Sequence, residues 1–272
     1  MCKILKVSRN AYYNYLKGKD KISYEDILLE SLIKEIFFSS RQTYGSRRIK
    51  AVLEKEYNKQ VSRRRITKIM KLNNLTPKTK GSKKQKTTIT KSTDKYADNL
   101  INREFKAQRP NEKYTSDITY FKVANKYMYF YAALDVYSRK ITSSNLSDSL
   151  EAKEAVKILN QLKENRGDLR GSIFHSDRGT QYASKTFKEK LEELGMIQSM
   201  SSKGNCYDNA IMESFFATMK AELGEEFESE YEAYLLINEY LNWYNNVRLH
   251  SALGYKSPTE FEMEYFKSLC TK

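Results

Sequence analysis

Apolar side chains recur at three- and four-residue intervals through the first seventy-odd positions, then gather into short Tyr-, Phe-, Val- and Ile-rich runs from about position 114. The first pattern predicts helices. Residues 3–17 read as a short helix capped by Ser8, and from Tyr24 to Phe38 the side chains Leu29, Ile33, Ile36 and Phe37 share one face. Ser46 is placed to cap a further helix with Ile49, Val52, Leu53 and Tyr57 inward. After the polar turn Asn58-Lys59-Gln60, Ser62 caps another helix, with Ile66, Ile69 and Met70 inward. The second pattern predicts strands over 114–123 and 126–134, with Asn125 in the turn between them, and a third from Arg139 to Asn145. An amphipathic helix follows on Ala152, Ala155, Val156, Leu159 and Leu162, then a short strand from Ser172 to Ser176. Ser184 caps a helix with Phe187, Leu191 and Leu194 inward, which Gly195 closes. Ile197 to Met200 reads as a last strand, and Asp208 caps a long helix burying Met212, Phe215, Phe216 and Met219. Helices at about 229–246 and 257–268 end the pattern.

The element order of the second part is three strands, helix, strand, helix, strand, helix. That is the order of an RNase H-like α/β domain, a mixed sheet with flanking helices, here preceded by an all-α region. The expected organisation is a helical region over 1–76, a linker over 77–112 and an RNase H-like domain over 113–272. From Pro77 to Lys91 the linker holds six lysines and no acid, so it has nothing with which to build a core.

Charge sharpens this division. Residues 1–113 hold 29 Lys+Arg against 11 Asp+Glu, whereas residues 114–272 hold 19 against 23. A polycation suits a phosphate backbone, because each neutralised phosphate releases condensed counterions. Two helices joined by the turn at 58–60 match a helix-turn-helix, whose second helix places its first residues in the major groove. Those residues are Arg63, Arg64 and Arg65; Arg47 and Arg48 open the preceding helix, where phosphate contacts are expected. The bland alternative is a helical bundle with a solvated basic face. Other partners are disfavoured. The longest apolar run, Met128 to Leu134, is far shorter than the roughly 20 residues of a membrane span, and the N-terminus has no signal-like apolar stretch, which predicts a cytoplasmic protein. Three scattered cysteines and two histidines offer no disulfide framework and no zinc spacing.

The acidic second half calls for another explanation, and metal ligation is one. Two-metal phosphodiester chemistry needs carboxylate oxygens converging from separate elements. Asp117 lies in the first predicted strand, within Thr115-Ser116-Asp117-Ile118-Thr119-Tyr120. Asp177 ends the fourth, in His175-Ser176-Asp177-Arg178-Gly179, a strand end followed by a Gly-containing turn. Glu213 lies beside the apolar stripe of the long helix, thirty-five residues separating it from Asp177. Singly, each acid also reads as a strand-edge, turn or surface carboxylate.

Together with Asn99-Leu100-Ile101-Asn102-Arg103, Leu134-Asp135-Val136-Tyr137-Ser138-Arg139-Lys140, Asp208-Asn209-Ala210, Glu213-Ser214-Phe215-Phe216, Tyr244-Asn245-Asn246-Val247-Arg248 and His250-Ser251-Ala252-Leu253-Gly254-Tyr255-Lys256-Ser257-Pro258, these motifs span nearly the whole chain. The sequence resembles the integrase-core transposases of bacterial insertion sequences in the IS-three group. These are second-reading-frame proteins of the DDE superfamily, which includes retroviral integrases. The resemblance implies that Asp117, Asp177 and Glu213 are the catalytic, metal-binding triad, loaded with two Mg²⁺ ions for which Mn²⁺ can substitute. It implies that Lys220, seven residues after Glu213, contacts DNA. It also implies cleavage of the ends of a mobile element and strand transfer, on double-stranded DNA, by a homo-oligomer on paired ends. A first-frame segment is expected as fusion or partner, and a nucleoid-associated location follows. Asn209, one turn before Glu213, is expected to support it. His175 reads equally as a residue backing the ligands or as a packed core histidine. Asp135 reads as structural. Tyr114 stands where the group usually has Trp, and Leu249 where it has Pro. The alternatives are a nuclease that only hydrolyses and a non-catalytic, element-derived DNA-binding repressor.

Overall fold

The computed structural model describes residues 2, 4–5, 7–18, 24–79, 96–102, 105–202 and 209–270, and the chain divides into two units, Met1–Pro77 and Lys78–Lys272. Among the described residues, no helix is long and apolar enough to cross a membrane.

The first unit is helical: α1 (Arg9–Gly18), α2 (Tyr24–Ser39), α3 (Ser46–Lys55) and α4 (Arg63–Leu72). Its core is the predicted one, with Leu29, Ile33, Ile36, Phe37, Ile49, Val52, Leu53, Ile66, Ile69 and Met70 all buried. Helix α1 starts at Arg9 and not at residue 3, because Ser8 itself is the cap. Its Oγ accepts from the N–H of Ala11 at 3.0 Å, and a capping residue is by nature outside the helix. In α3 the capping position falls on Gly45, one residue before Ser46, without a side-chain bond. Tyr57 lies past the end of that helix and is half-buried; Asn58 at φ +50° turns the chain away. Ser62 does cap α4, accepting from the N–H of Arg65 at 3.3 Å.

The second unit is built on six strands: β1 (Lys113–Val123), β2 (Lys126–Asp135), β3 (Ile141–Ser147), β4 (Ile173–Ser176), β5 (Ile197–Met200) and β6 (Glu226–Phe227). The order is β3-β2-β1-β4-β5, antiparallel across β3, β2 and β1 and parallel from β1 through β4 to β5; β6 joins β1 in parallel at its far end. The β1–β2 turn takes its left-handed residue at Ala124 (φ +52°), next to the expected Asn125. Arg139, also left-handed at φ +62°, delays β3 to Ile141. The helices are α5 (Ala152–Arg166), α6 (Thr180–Ala183), α7 (Lys185–Glu193), α8 (Ala210–Leu223), α9 (Glu230–Asn246) and α10 (Pro258–Cys270). Neither α6 nor β6 is predicted by the sequence pattern.

Strand alternation divides the sheet's contacts between its two faces. On one face Tyr114, Tyr131, Ala133 and Phe174 pack with Ile158, Leu159 and Leu162 of α5 and Phe187 and Leu191 of α7. On the other, Phe121 and Phe130 meet edge to face at 6.1 Å, and Phe130 meets Phe216 of α8 at 6.1 Å. The second half of the expected linker, beyond the undescribed residues 80–95, lies along β5. Asp98 accepts from the N–H of Met200 at 3.3 Å, the N–H of Leu100 reaches Ser199 Oγ at 2.9 Å, and Ile101 is buried. Strand β4 pairs only with residues 113–115 of β1, and β6 with residues 122–123. Among the described residues, the intervening edge of β1, which carries Asp117, therefore has no strand beside it.

Candidate active site

Asp117 stands in the middle of β1, Asp177 just past the end of β4, and Glu213 in the first turn of α8. The parallel pairing of β1 with β4 brings the first two to the same end of the sheet. Asp117 is half-buried and accepts from the N–H of Ile118 at 2.8 Å. Its pKa is pushed well above the ordinary carboxylate value, first by burial and then by the charges of Asp177 and Glu213. Asp177 keeps an exposed surface, yet the atoms crowded around its carboxylate raise its pKa, opposed by a 2.9 Å hydrogen bond from the N–H of Gly179. Glu213 is half-buried and is also raised by burial. All three departures share a sign, that of a carboxylate whose charged form is penalised by burial, and the buried turn residue Asp135 shares it. Among the described residues, no three Asp, Glu, His or Cys side chains are gathered tightly enough to hold one ion. The donor set itself is hard and all-oxygen, the chemistry that suits Mg²⁺.

Gly179 fits this turn for a steric reason. A Cβ there would meet Gln181 Oε1 at 2.8 Å and Asp177 Oδ1 at 3.0 Å, so a side chain would press on the carboxylate.

The supporting residues divide. Asn209 is buried at the start of α8; its Oδ1 accepts from Thr115 Oγ1 at 2.7 Å and its Nδ2 donates to the Ser116 carbonyl at 3.5 Å. It thus ties the helix of Glu213 to the strand of Asp117. The capping position falls on Asn209 without a side-chain cap bond, and Asp208, the expected cap, lies outside the described residues. His175 is fully buried, with Nδ1 2.9 Å from Ser199 Oγ and Nε2 3.2 Å from Ser201 Oγ. Both ring nitrogens thus point to serines at and just beyond β5. Asp135 is fully buried, accepting from the N–H groups of Asn111 (2.7 Å) and Ser138 (3.0 Å), and so organises a turn. Tyr114 is buried, its hydroxyl donating to Asn111 Oδ1 at 2.7 Å; Leu249 is buried too.

The basic residues also divide. Arg47, Arg63 and Arg64 are exposed. Arg65 is exposed as well, with its Nε donating to Asp26 of α2 at 3.2 Å. Arg48 is half-buried, donating to the Thr43 carbonyl at 3.4 Å with its guanidinium 5.5 Å from the Tyr44 ring. Lys220 lies 4.6 Å from the Tyr120 ring centroid and 3.8 Å from Glu225; burial lowers its pKa, and Glu225 opposes that.

Two groups beside the acids escape the sequence pattern. Ser116 Oγ lies 2.9 Å from Tyr182 Oη, both buried, and the phenol pKa is pushed far up by burial and by the charges of Asp117 and Asp177. Arg178, next to Asp177, donates to the Ser201 carbonyl at 2.8 Å and covers the Tyr96 ring at 4.7 Å.

Residues 23–83 match the HTH-like domain family, and residues 107–206 and 194–258 match integrase core domain families. A 31 kDa protein of insertion element IS600 from Shigella sonnei, described as uncharacterized, is 35% identical over 271 residues, covering 97% of this chain and 98% of that protein. The transposase for insertion sequence element IS904 of Lactococcus lactis is 37% identical over 239 residues, 86% of this chain and 93% of that one. Transposase InsF for insertion sequence IS3A of Escherichia coli is 31% identical over 270 residues, 96% and 92% of the two chains. Among solved structures, a chain of the simian T-cell lymphotropic virus intasome in complex with a PP2A regulatory subunit shares the fold. The TM-score is 0.50 at 16% identity, over 85% of this chain and 74% of that one.

Proposed function

The chain belongs to the IS3 family of insertion-sequence transposases, and from that premise we propose that Asp117, Asp177 and Glu213 are the metal-binding triad with which it cuts and joins DNA ends. With its integrase core it is an enzyme of the polynucleotidyl transferase type. The observation that carries the assignment is geometric: β1 and β4 run parallel side by side with Asp117 and Asp177 two residues beyond their last paired positions, and Asn209, one turn before Glu213, is bonded to Thr115 of the strand that holds Asp117.

The proposed reaction has two displacements at phosphorus. Water attacks the phosphodiester at the element's end; one P–O bond forms, another breaks, and a 3′-OH departs. That hydroxyl then attacks a second phosphodiester and expels another 3′-OH, joining strands without a covalent protein intermediate. Two Mg²⁺ ions, or Mn²⁺ in their place, would lower the pKa of the attacking oxygen and neutralise charge on the leaving one. Asp117, Asp177 and Glu213 would hold them, and the Asn209 bond to Thr115 keeps the Glu213 helix against β1. His175, bonded to Ser199 and Ser201, would steady the end of β4 that leads into Asp177. Arg63 and Arg64 would enter the major groove, Arg47 would contact phosphate, and Lys220 would reach DNA only by leaving its aromatic seat. Paired ends imply a homo-oligomer, in the cytoplasm on nucleoid DNA, with a first-frame segment as fusion or partner.

The test is strand transfer by the full chain on end-containing double-stranded DNA with Mg²⁺, with and without a supplied first-frame segment. Joined products are expected from the wild type, and none from Asp177→Asn or Glu213→Gln. Wild-type joining by either variant would end the triad assignment. Products that are cut but never joined would leave a nuclease.

A further inference from the structure

Thr115 and Ser116 immediately precede Asp117, and as successive strand residues they point to opposite faces of the sheet. Each meets a partner on a segment that carries another acid. Thr115 Oγ1 donates to Asn209 Oδ1 at 2.7 Å, one turn ahead of Glu213. Ser116 Oγ meets Tyr182 Oη at 2.9 Å, and Tyr182 sits in α6, directly after the Asp177 turn. Both bonds are sealed from water, with Thr115 and Ser116 at 0% exposure, Tyr182 at 1% and Asn209 at 5%.

Tyr182 is held independently of that bond. Its N–H donates to the Gly179 carbonyl at 3.1 Å, its carbonyl accepts from Gln198 Nε2 at 2.7 Å, and its ring packs edge-on against Phe187 at 5.3 Å. The phenol is therefore a rigid strut from the turn that begins at Asp177. Apolar contact alone would fill this space, but it is non-directional. A buried hydroxyl pair fixes distance and angle.

We propose that Ser116 and Tyr182 are positioning residues of strand transfer: their buried bond sets where Asp177 stands relative to Asp117, as Thr115 and Asn209 do for Glu213. This rests on the triad reading above. Polar partners that orient ligating carboxylates change metal affinity or activity by about 10–100-fold when removed. The same order is expected here, without contact between either hydroxyl and the DNA.

The experiment titrates Mg²⁺ in the strand-transfer assay with the full chain, using Tyr182→Phe, Ser116→Ala, the double variant and Asp177→Asn. Rates are normalised to the folded fraction read by circular dichroism at the assay temperature, and DNA affinity is measured separately. Each single variant should raise the half-saturating Mg²⁺ concentration by about tenfold, read both in strand transfer and, without DNA, in the Mg²⁺-induced rise of the thermal midpoint, with DNA affinity unchanged. The double variant should be no worse than the poorer single, since both remove one bond. Wild-type metal dependence in both singles, loss that vanishes after normalisation, or single effects that multiply in the double would each overturn the proposal. If Asp177→Asn stays active, the triad reading fails; if it is dead while both hydroxyl variants behave as wild type, only the positioning role fails.

Discussion

Asp117 shows how a side chain can serve chemistry and burden the fold. Its carboxylate takes one hydrogen bond from the N–H of Ile118 and otherwise feels burial and two other negative charges. A carboxylate raised on folding holds its proton more tightly in the folded chain than in the unfolded one. The folded state is therefore favoured at low pH, and that advantage is lost as pH rises from the ordinary value of 3.8 through the raised one. At neutral pH without metal, the site is a source of instability. Asp117→Asn keeps an oxygen for the Ile118 N–H and removes the charge. In EDTA, its thermal midpoint should exceed that of wild type at pH 7 to 8 and converge with it as pH falls below the carboxylate range. For a unit of this size each kcal/mol relieved is about 2–4 °C. Mg²⁺ should raise the wild-type midpoint and leave the variant's nearly unchanged. A variant that melts below wild type at neutral pH in EDTA would show that Asp117 has a structural counter-charge instead.

At the scale of elements, α8 is anchored at both ends. Near its start Asn209 grips β1. At its other end Glu222 accepts from Arg248, just beyond α9, at 2.8 Å and 2.6 Å and from Tyr240 of α9 at 2.9 Å. Both charged side chains are at least 95% buried, so removing one strands the other in a medium that solvates it poorly. Arg248→Met or Glu222→Leu alone should lower unfolding free energy by about 3–5 kcal/mol in urea titrations, and the double replacement by less than either. Additive losses would mean the pair does not act as a unit. This scale also sets what the sequence reveals. Strands β1 and β2 and helices α2, α5 and α8 are legible because each carries its apolar pattern over a full element, whereas β4 and β5, four residues each, are legible only as short β-prone runs between turn residues. The four-residue α6 and two-residue β6 are too short for any period to register. The three acids are legible because their local contexts are distinctive. The Ser116–Tyr182 bond spans 66 positions, and no local pattern in either residue announces the other. The tertiary contacts of Arg65 and Arg48 are likewise invisible in sequence: an exposed ion pair to Asp26 for one, Thr43 and Tyr44 for the other.

Over the whole molecule, charge and chemistry are segregated. The residues that do the proposed chemistry lie in a half with 19 basic against 23 acidic side chains, which repels a polyanion unless cations are bound. Affinity for DNA must then come mainly from residues 1–113, with 29 basic against 11 acidic. Within them, the exposed pair at the start of α4 separates two modes of binding. If Arg63 and Arg64 grip phosphates, changing both to Ala reduces the magnitude of the slope of log K against log salt by about 0.9 for each phosphate no longer neutralised, equally on end and random DNA. If they read bases in the major groove, the slope on random DNA stays put and the preference for end sequence falls, by about 1–3 kcal/mol for each bidentate pair removed. Their place in the first turn of the second helix favours base reading. The expected result is therefore collapse of end preference with the slope nearly intact, measured by fluorescence anisotropy over a salt series. Arg65→Ala, which breaks the exposed tie to Asp26, should change stability by no more than about 1 kcal/mol and leave both binding readouts in place. Loss of end preference in Arg65→Ala, with Arg63 and Arg64 replaceable at no effect, would put base reading on Arg65 and require its tie to Asp26 to open on DNA.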